Sequence, residues 1–88
     1  MIDFETYSER LKIPVSEINR KTRIREIVAA RQVYWFYLRE FGFSFNEIGR
    51  MFGKNHSTVF QAISKIKDLI ASNDRYLKRY LDAIEYKL

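Results

Sequence analysis

Apolar positions along the chain fall into blocks of helical period separated by short polar breaks. Phe4, Tyr7, Leu11 and Ile13 share one side of a segment running from Asp3 to about Lys12. Pro14 is expected to close that segment, because the residue before a proline avoids the helical region. Val15 to Asn19 suits one short helical turn with Val15 and Ile18 inward. The span from Ile24 to Phe41 predicts the longest helix. Its apolar residues, from Ile27 and Val28 through Val33, Tyr34, Trp35, Phe36, Tyr37 and Leu38 to Phe41, cover more than one stripe. A helix apolar most of the way round belongs at the centre of a fold. The run Tyr34 to Tyr37 is not a base-stacking platform, since consecutive helical residues point about 100° apart. Core packing is expected there, with room for one of the four at a partner surface. Arg31 and Gln32 interrupt the apolar pattern, either as a solvent-facing pair or as a contact to a DNA backbone.

Gly42-Phe43 turns the chain into a second pattern. Ser44 with Glu47 three residues on is a capping box, and Phe45, Ile48 and Phe52 share the face of the helix it starts. Gly53 stops that helix, since glycine reaches left-handed angles cheaply. Val59, Phe60, Ala62, Ile63, Ile66, Leu69 and Ile70 then recur at helical spacing, so another helix begins near Asn55 or His56 and runs to about Ala71. Two short helices joined by a glycine-containing turn form a helix-turn-helix, here at about residues 44–71. Ser72-Asn73-Asp74 is turn and cap chemistry. A last helix is expected from about Asp74 to Lys87, with Tyr76, Leu77, Tyr80, Leu81, Ile84 and Leu88 at helical spacing. The result is an all-α bundle of five to six helices.

The start of the second motif helix carries the chemistry. Lys54, Asn55, His56, Ser57 and Thr58 crowd one helix N-terminus, where free N–H groups and a partial positive charge suit phosphate. Asn, His, Ser and Thr also hydrogen-bond base edges, and in helix-turn-helix proteins the first residues of the second helix read the bases. An ordinary N-cap would need only Asn55 or Ser57. Upstream, Arg20-Lys21-Thr22-Arg23-Ile24-Arg25 places four cations in six residues. Such a run is commonly a solvated face. Beside a helix-turn-helix it reads as an arm for DNA.

Composition supports this picture and narrows it. Of the net charge of +5, residues 1–20 carry −1, residues 21–54 carry +4 and residues 55–88 carry +2. Positive charge peaks just before the reading helix, which fits a polyanionic partner. Seven Phe, six Tyr and one Trp fill a small core without disulfides, for there are no cysteines. One histidine and no cysteine leave little for a nucleophile–base pair or a metal site, so neither an enzyme nor a metal or other cofactor is expected. No apolar run approaches the roughly 20 residues of a membrane span, and the N-terminus is not a signal peptide. A cytoplasmic protein, nucleoid-associated and without membrane contact, is expected.

The stretch Ile48-Gly49-Arg50-Met51-Phe52-Gly53-Lys54-Asn55-His56-Ser57-Thr58-Val59, followed by Ala62 and Lys65-Ile66, resembles the signature of the C-terminal DNA-binding domain of DnaA, the bacterial chromosomal replication initiator. The likeness extends to Lys21-Thr22-Arg23, Ala30-Arg31-Gln32 and Leu38-Arg39-Glu40, and so spans about residues 1–71. The resemblance implies a Trp-repressor-like helix-turn-helix unit over residues 1–88 that binds DnaA-box-like duplex sites. It implies that Arg23 reaches into the minor groove and that Asn55, His56 and Ser57 read bases in the major groove. Arg31, Gln32, Arg39, Thr58 and Lys65 would hold phosphates, as would Arg25 and Lys54 from their charge and position. The family's aspartate is Asn55 here. An aspartate only accepts, whereas an asparagine also donates, which suits adenine. No phosphate-binding Gly-x-x-x-x-Gly-Lys-Ser/Thr loop occurs, so the initiator's ATPase module is missing from this sequence. The chain is then an excised domain or a small relative that occupies DNA, one copy per site and in reach of replication proteins. The alternatives are a protein-interaction adaptor with exposed aromatics from Tyr34–Tyr37 or from Tyr76, Tyr80 and Tyr86, and a regulator of a mobile element using the same fold.

Overall fold

The polar breaks in the sequence become helix ends. The computed structural model describes residues 1–87. In chain order it contains α1 (Phe4–Leu11), α2 (Val15–Ile18), α3 (Arg25–Glu40), α4 (Phe45–Phe52), α5 (His56–Ala71), a 3-10 turn (Arg75–Leu77) and α6 (Lys78–Ala83). No strand occurs among the described residues. Asp3 starts α1 by accepting the Thr6 N–H at 2.7 Å. Lys12, in the left-handed region at φ 58°, ends it two residues before Pro14. Pro14 instead opens α2, where its missing N–H costs nothing.

Helix α3 packs against α2, α4, α5 and α6. Contact on every side explains why Tyr34, Trp35, Phe36 and Tyr37 are all buried although they point in different directions. None of the four is left at a free surface, so the adaptor reading loses that part of its contact patch. Tyr80 is buried as well, and Tyr76 and Tyr86 are half-buried. The phenol tips find partners: Tyr7 donates to the Ala30 carbonyl at 2.6 Å and Tyr34 to the Ile2 carbonyl at 2.9 Å. Burial raises the Tyr7 hydroxyl well above its ordinary pKa and pushes Tyr34 up to about 12. Both rings therefore stay neutral donors.

Two expectations change. The last helix is shorter than its apolar pattern suggests. It opens as a 3-10 turn, and α6 stops at Ala83 because Glu85 turns left-handed at φ 57° and the Tyr86 N–H closes onto the Leu81 carbonyl at 3.0 Å. Tyr86 then packs edge-on against Phe36 from outside the helix. Leu88 lies outside the described residues. Phe60, grouped by its spacing with the other apolar residues of this helix, is instead 52% exposed. The core side of α5 is Val59, Ala62, Ile63 and Ile66, and Phe60 falls about 100° off that stripe.

Candidate nucleic-acid interface

Helix α4 positions the site. Its capping box is complete: Glu47 N–H donates to Ser44 Oγ at 3.0 Å, and Ser44 N–H donates to Glu47 Oε1 at 2.8 Å. That second bond holds the Glu47 carboxyl below its usual pKa. At the other end Gly53 sits at φ +66° and ends the helix, and both its N–H and that of Lys54 bond back to the Gly49 carbonyl. Gly49 is needed for a different reason. A Cβ there would lie 2.5 Å from the Lys54 carbonyl oxygen, so the turn crosses directly over the glycine. The turn is short because the helix lets it pass this close.

Asn55 begins α5. Its Oδ1 accepts the Ser57 N–H at 2.7 Å, which makes it the N-cap, and its own carbonyl accepts from Val59 N–H at 3.2 Å. The His56 and Thr58 amides, in the first turn, are left for an outside acceptor. His56, Ser57 and Thr58 are exposed together with Asn55. The cap occupies only Oδ1 of this exposed residue and leaves its amide NH2 with two donors.

The loop before α3 lies beside this turn. Lys21, Thr22, Arg23, Arg31 and Lys54 line one cleft of about 480 Å³. A second cleft of about 290 Å³ is lined by Arg23, Arg25, Gln32, Lys65 and the acidic Asp74, together with apolar residues of α3, α5 and the 3-10 turn. Arg23 borders both. The chain therefore brings Lys54, Lys21, Arg23 and Lys65 along one edge, with the exposed first turn of α5 next to it. Among the described residues, none of these four cations is held by a carboxylate, whereas Arg10, Arg20 and Lys78 each pair with an acid.

Two of the expected phosphate ligands, Arg31 and Arg39, are engaged within the fold, and a third, Arg25, packs on a ring while staying exposed. Arg31 is buried, with Nε on the Ile18 carbonyl at 3.0 Å and Nη2 on the Arg20 carbonyl at 2.6 Å. It is neither a solvent-facing residue nor a free arm. It pins the loop that carries Lys21 and Arg23, and burial lowers its pKa. Arg39 is half-buried, donates to the Phe43 carbonyl at 3.2 Å and stacks over Phe45 at 4.6 Å. Arg25 is exposed and lies over the Tyr76 ring at 3.7 Å, with its cation still at the surface. Gln32 is half-buried at the second cleft. Lys21 was not singled out from the sequence as a ligand. Its place in a run of four cations was the available signal.

The family described as bacterial dnaA protein helix-turn-helix matches residues 4–66. This chain belongs to that family. The match begins in α1 and ends at Ile66 of α5, which covers the loop, the turn and the first turn of α5 described above. The chain is 37% identical over 86 residues to the chromosomal replication initiator protein DnaA of Citrifermentans bemidjiense, and 36% identical over 86 residues to that of a Geobacter species. It is 40% identical over 78 residues to that of Streptococcus thermophilus. These alignments cover 96%, 96% and 86% of this chain but only 19%, 18% and 17% of the relatives. The chain thus spans about a fifth of the length of the curated relatives it matches. No solved structure was found to match it at a significant level.

Proposed function

We propose that this DnaA-type domain binds duplex DNA sequence-specifically at DnaA-box-like sites, as one unit over residues 1–88. The observation that carries the reading is the juxtaposition of an exposed Asn55–Thr58 turn with a cation-lined cleft built by Lys21, Arg23 and Lys54. The first turn of α5 enters the major groove, where His56, Ser57 and Asn55 meet base edges. Arg23, on its pinned loop, enters the neighbouring minor groove. Lys54, Lys65, Arg25, Gln32 and the Thr58 amide and hydroxyl take phosphates. Arg31 and Arg39 act by holding the loop and the Gly42-Phe43 turn in place. The cap uses one lone pair of Asn55 Oδ1 and leaves both donors of its NH2 for an acceptor on a base edge, such as a purine N7.

We infer one copy per site, a reading supported by both groove-entering elements lying in a single chain. Occupancy of DNA, in the cytoplasm with the nucleoid, is the role assigned, and replication proteins bound to the same DNA are its neighbours. The test is fluorescence anisotropy with a DnaA-box duplex and a scrambled duplex at about 0.15 M salt, where non-specific contacts are partly screened. The expected preference for the box is two or more orders of magnitude, and His56→Ala should remove most of it. Equal binding to both duplexes, or a box preference untouched by His56→Ala, would refute the assignment.

A further inference from the structure

Phe60 is out of place for a residue of its kind. It is 52% exposed on a helix whose other large apolar residues in the same stretch, Val59, Ile63 and Ile66, are buried. It also packs on a neighbouring ring. Its ring meets Phe45 edge to face, with centroids 5.2 Å apart and planes at 87°. Phe45 in turn carries the Arg39 guanidinium over its ring at 4.6 Å, and Arg39 is tied to the Phe43 carbonyl. An exposed aromatic is thereby fixed by side chains from the end of α3 and the start of α4. Along α5, Phe60 follows His56 by four residues, which puts the two on one face about 6 Å apart along the axis.

We propose that Phe60 is a specificity-determining residue that packs its ring on the C5 methyl of a thymine in the major groove, next to the base met by His56. This inference rests on the DNA-binding reading above. An aromatic ring cannot hydrogen-bond a base edge, and thymine is the only base that offers a methyl group in that groove. The Phe45 buttress matters because a contact worth one methyl is lost if the ring is free to swing away. Phe60 shares a helix face with His56 of the first turn, whereas two of the other exposed apolar side chains, Met1 and Phe41, line a separate cleft with Ile2, Phe36 and Tyr86.

The test begins with the tightest duplex selected by this chain from random duplexes. Each thymine is then replaced in turn by deoxyuridine, which deletes the methyl and leaves every hydrogen-bonding edge intact. At one position the replacement should weaken binding of the unaltered chain about fourfold, the value of one buried methyl. Phe60→Ala should weaken binding to the parent duplex and abolish that sensitivity, and Phe60→Leu should retain part of it. Thermal melts confirm that both variants fold, as expected for an exposed position. A flat deoxyuridine series would overturn the proposal, as would equal sensitivity of the parent chain and Phe60→Ala at every position. Unchanged DNA binding by Phe60→Ala would also overturn it and leave the ring to a protein partner. If the chain does not distinguish the selected duplex from a scrambled one, the DNA-binding reading itself fails. If it does and the series is flat, only the role of Phe60 fails.

Discussion

Gly49→Ala tests the geometry that aims the reading helix. The added methyl would sit 2.5 Å from the Lys54 carbonyl oxygen, 3.5 Å from the Lys54 carbonyl carbon and 3.6 Å from the His56 nitrogen. The first distance is too short for any real contact, and its partner is backbone, which cannot rotate aside. The turn must open by about 0.5 Å to reach 3.0 Å and by about 0.9 Å to reach ordinary contact at 3.4 Å. The N-cap Asn55 is bonded directly to Lys54, so the start of α5 moves with it. Overpacking of this kind costs about 1–3 kcal/mol. Alanine regains about 1 kcal/mol over glycine in a helix interior. The net loss is then about 0–2 kcal/mol, and each 1 kcal/mol lowers Tm by roughly 4–8 °C in a domain of this size. The binding effect should be larger than the stability effect. A displacement approaching 1 Å at Asn55 and His56 spoils contacts worth about 1–3 kcal/mol each, so box preference should fall about tenfold or more. Melting curves and paired anisotropy titrations on the same samples provide both numbers. A variant with raised Tm and intact box preference would refute the close-approach argument. Gly53 offers the contrast, because nothing lies within 4 Å of its Cβ position and only φ +66° is demanding. Gly53→Asn should be tolerated, since asparagine accepts left-handed angles.

Arg31→Lys should weaken binding although the charge is kept. Lysine lacks the two separated nitrogens, Nε and Nη2, with which Arg31 reaches the Ile18 and Arg20 carbonyls, and losing a charged hydrogen bond of this kind costs about 1.5–3 kcal/mol of stability. Thermal melts check the stability loss, and faster hydrogen exchange at residues 19–23 checks the release of the loop. Lys54→Ala and Lys65→Ala should each lower affinity for all duplexes alike and reduce the slope of log K against log salt by about one, read from titrations at several salt concentrations. Acid should weaken the fold in a defined window. Bonds from the Thr6 and Ser44 N–H groups hold Asp3 and Glu47 below their ordinary pKa values. The folded pKa values are thus the lower ones, so this stabilisation is fully present above about pH 4.5 and is lost as pH falls through them. Tm measured from pH 7 to pH 3 should drop below about pH 4, and less steeply in Glu47→Gln.

Much of this protein follows from local chemistry. Period, caps and breakers determine the helices because each signal acts within one turn: Ser44 with Glu47, Gly53 in the left-handed region, Asn55 before α5, apolar residues on one face of α4. The signature from Ile48 to Val59 was equally legible, since the residues of a helix-turn-helix that meet DNA lie close together in sequence. The boundary of α6 was not legible, because the apolar pattern continues past Ala83 while the closure of Tyr86 onto Leu81 and its packing on Phe36 stop the helix. Tertiary structure also decided what each cation does. Arg31 and Arg23 look alike as letters in a basic sequence. Whether a guanidinium turns inward to the Ile18 and Arg20 carbonyls or outward to a cleft depends on where α2 packs against α3. Phe60 shows the same limit from the apolar side. Its spacing fits a core residue as well as a surface one, and only the packing of α3 and α4 on α5 determines which side of the helix is covered and leaves that ring facing out.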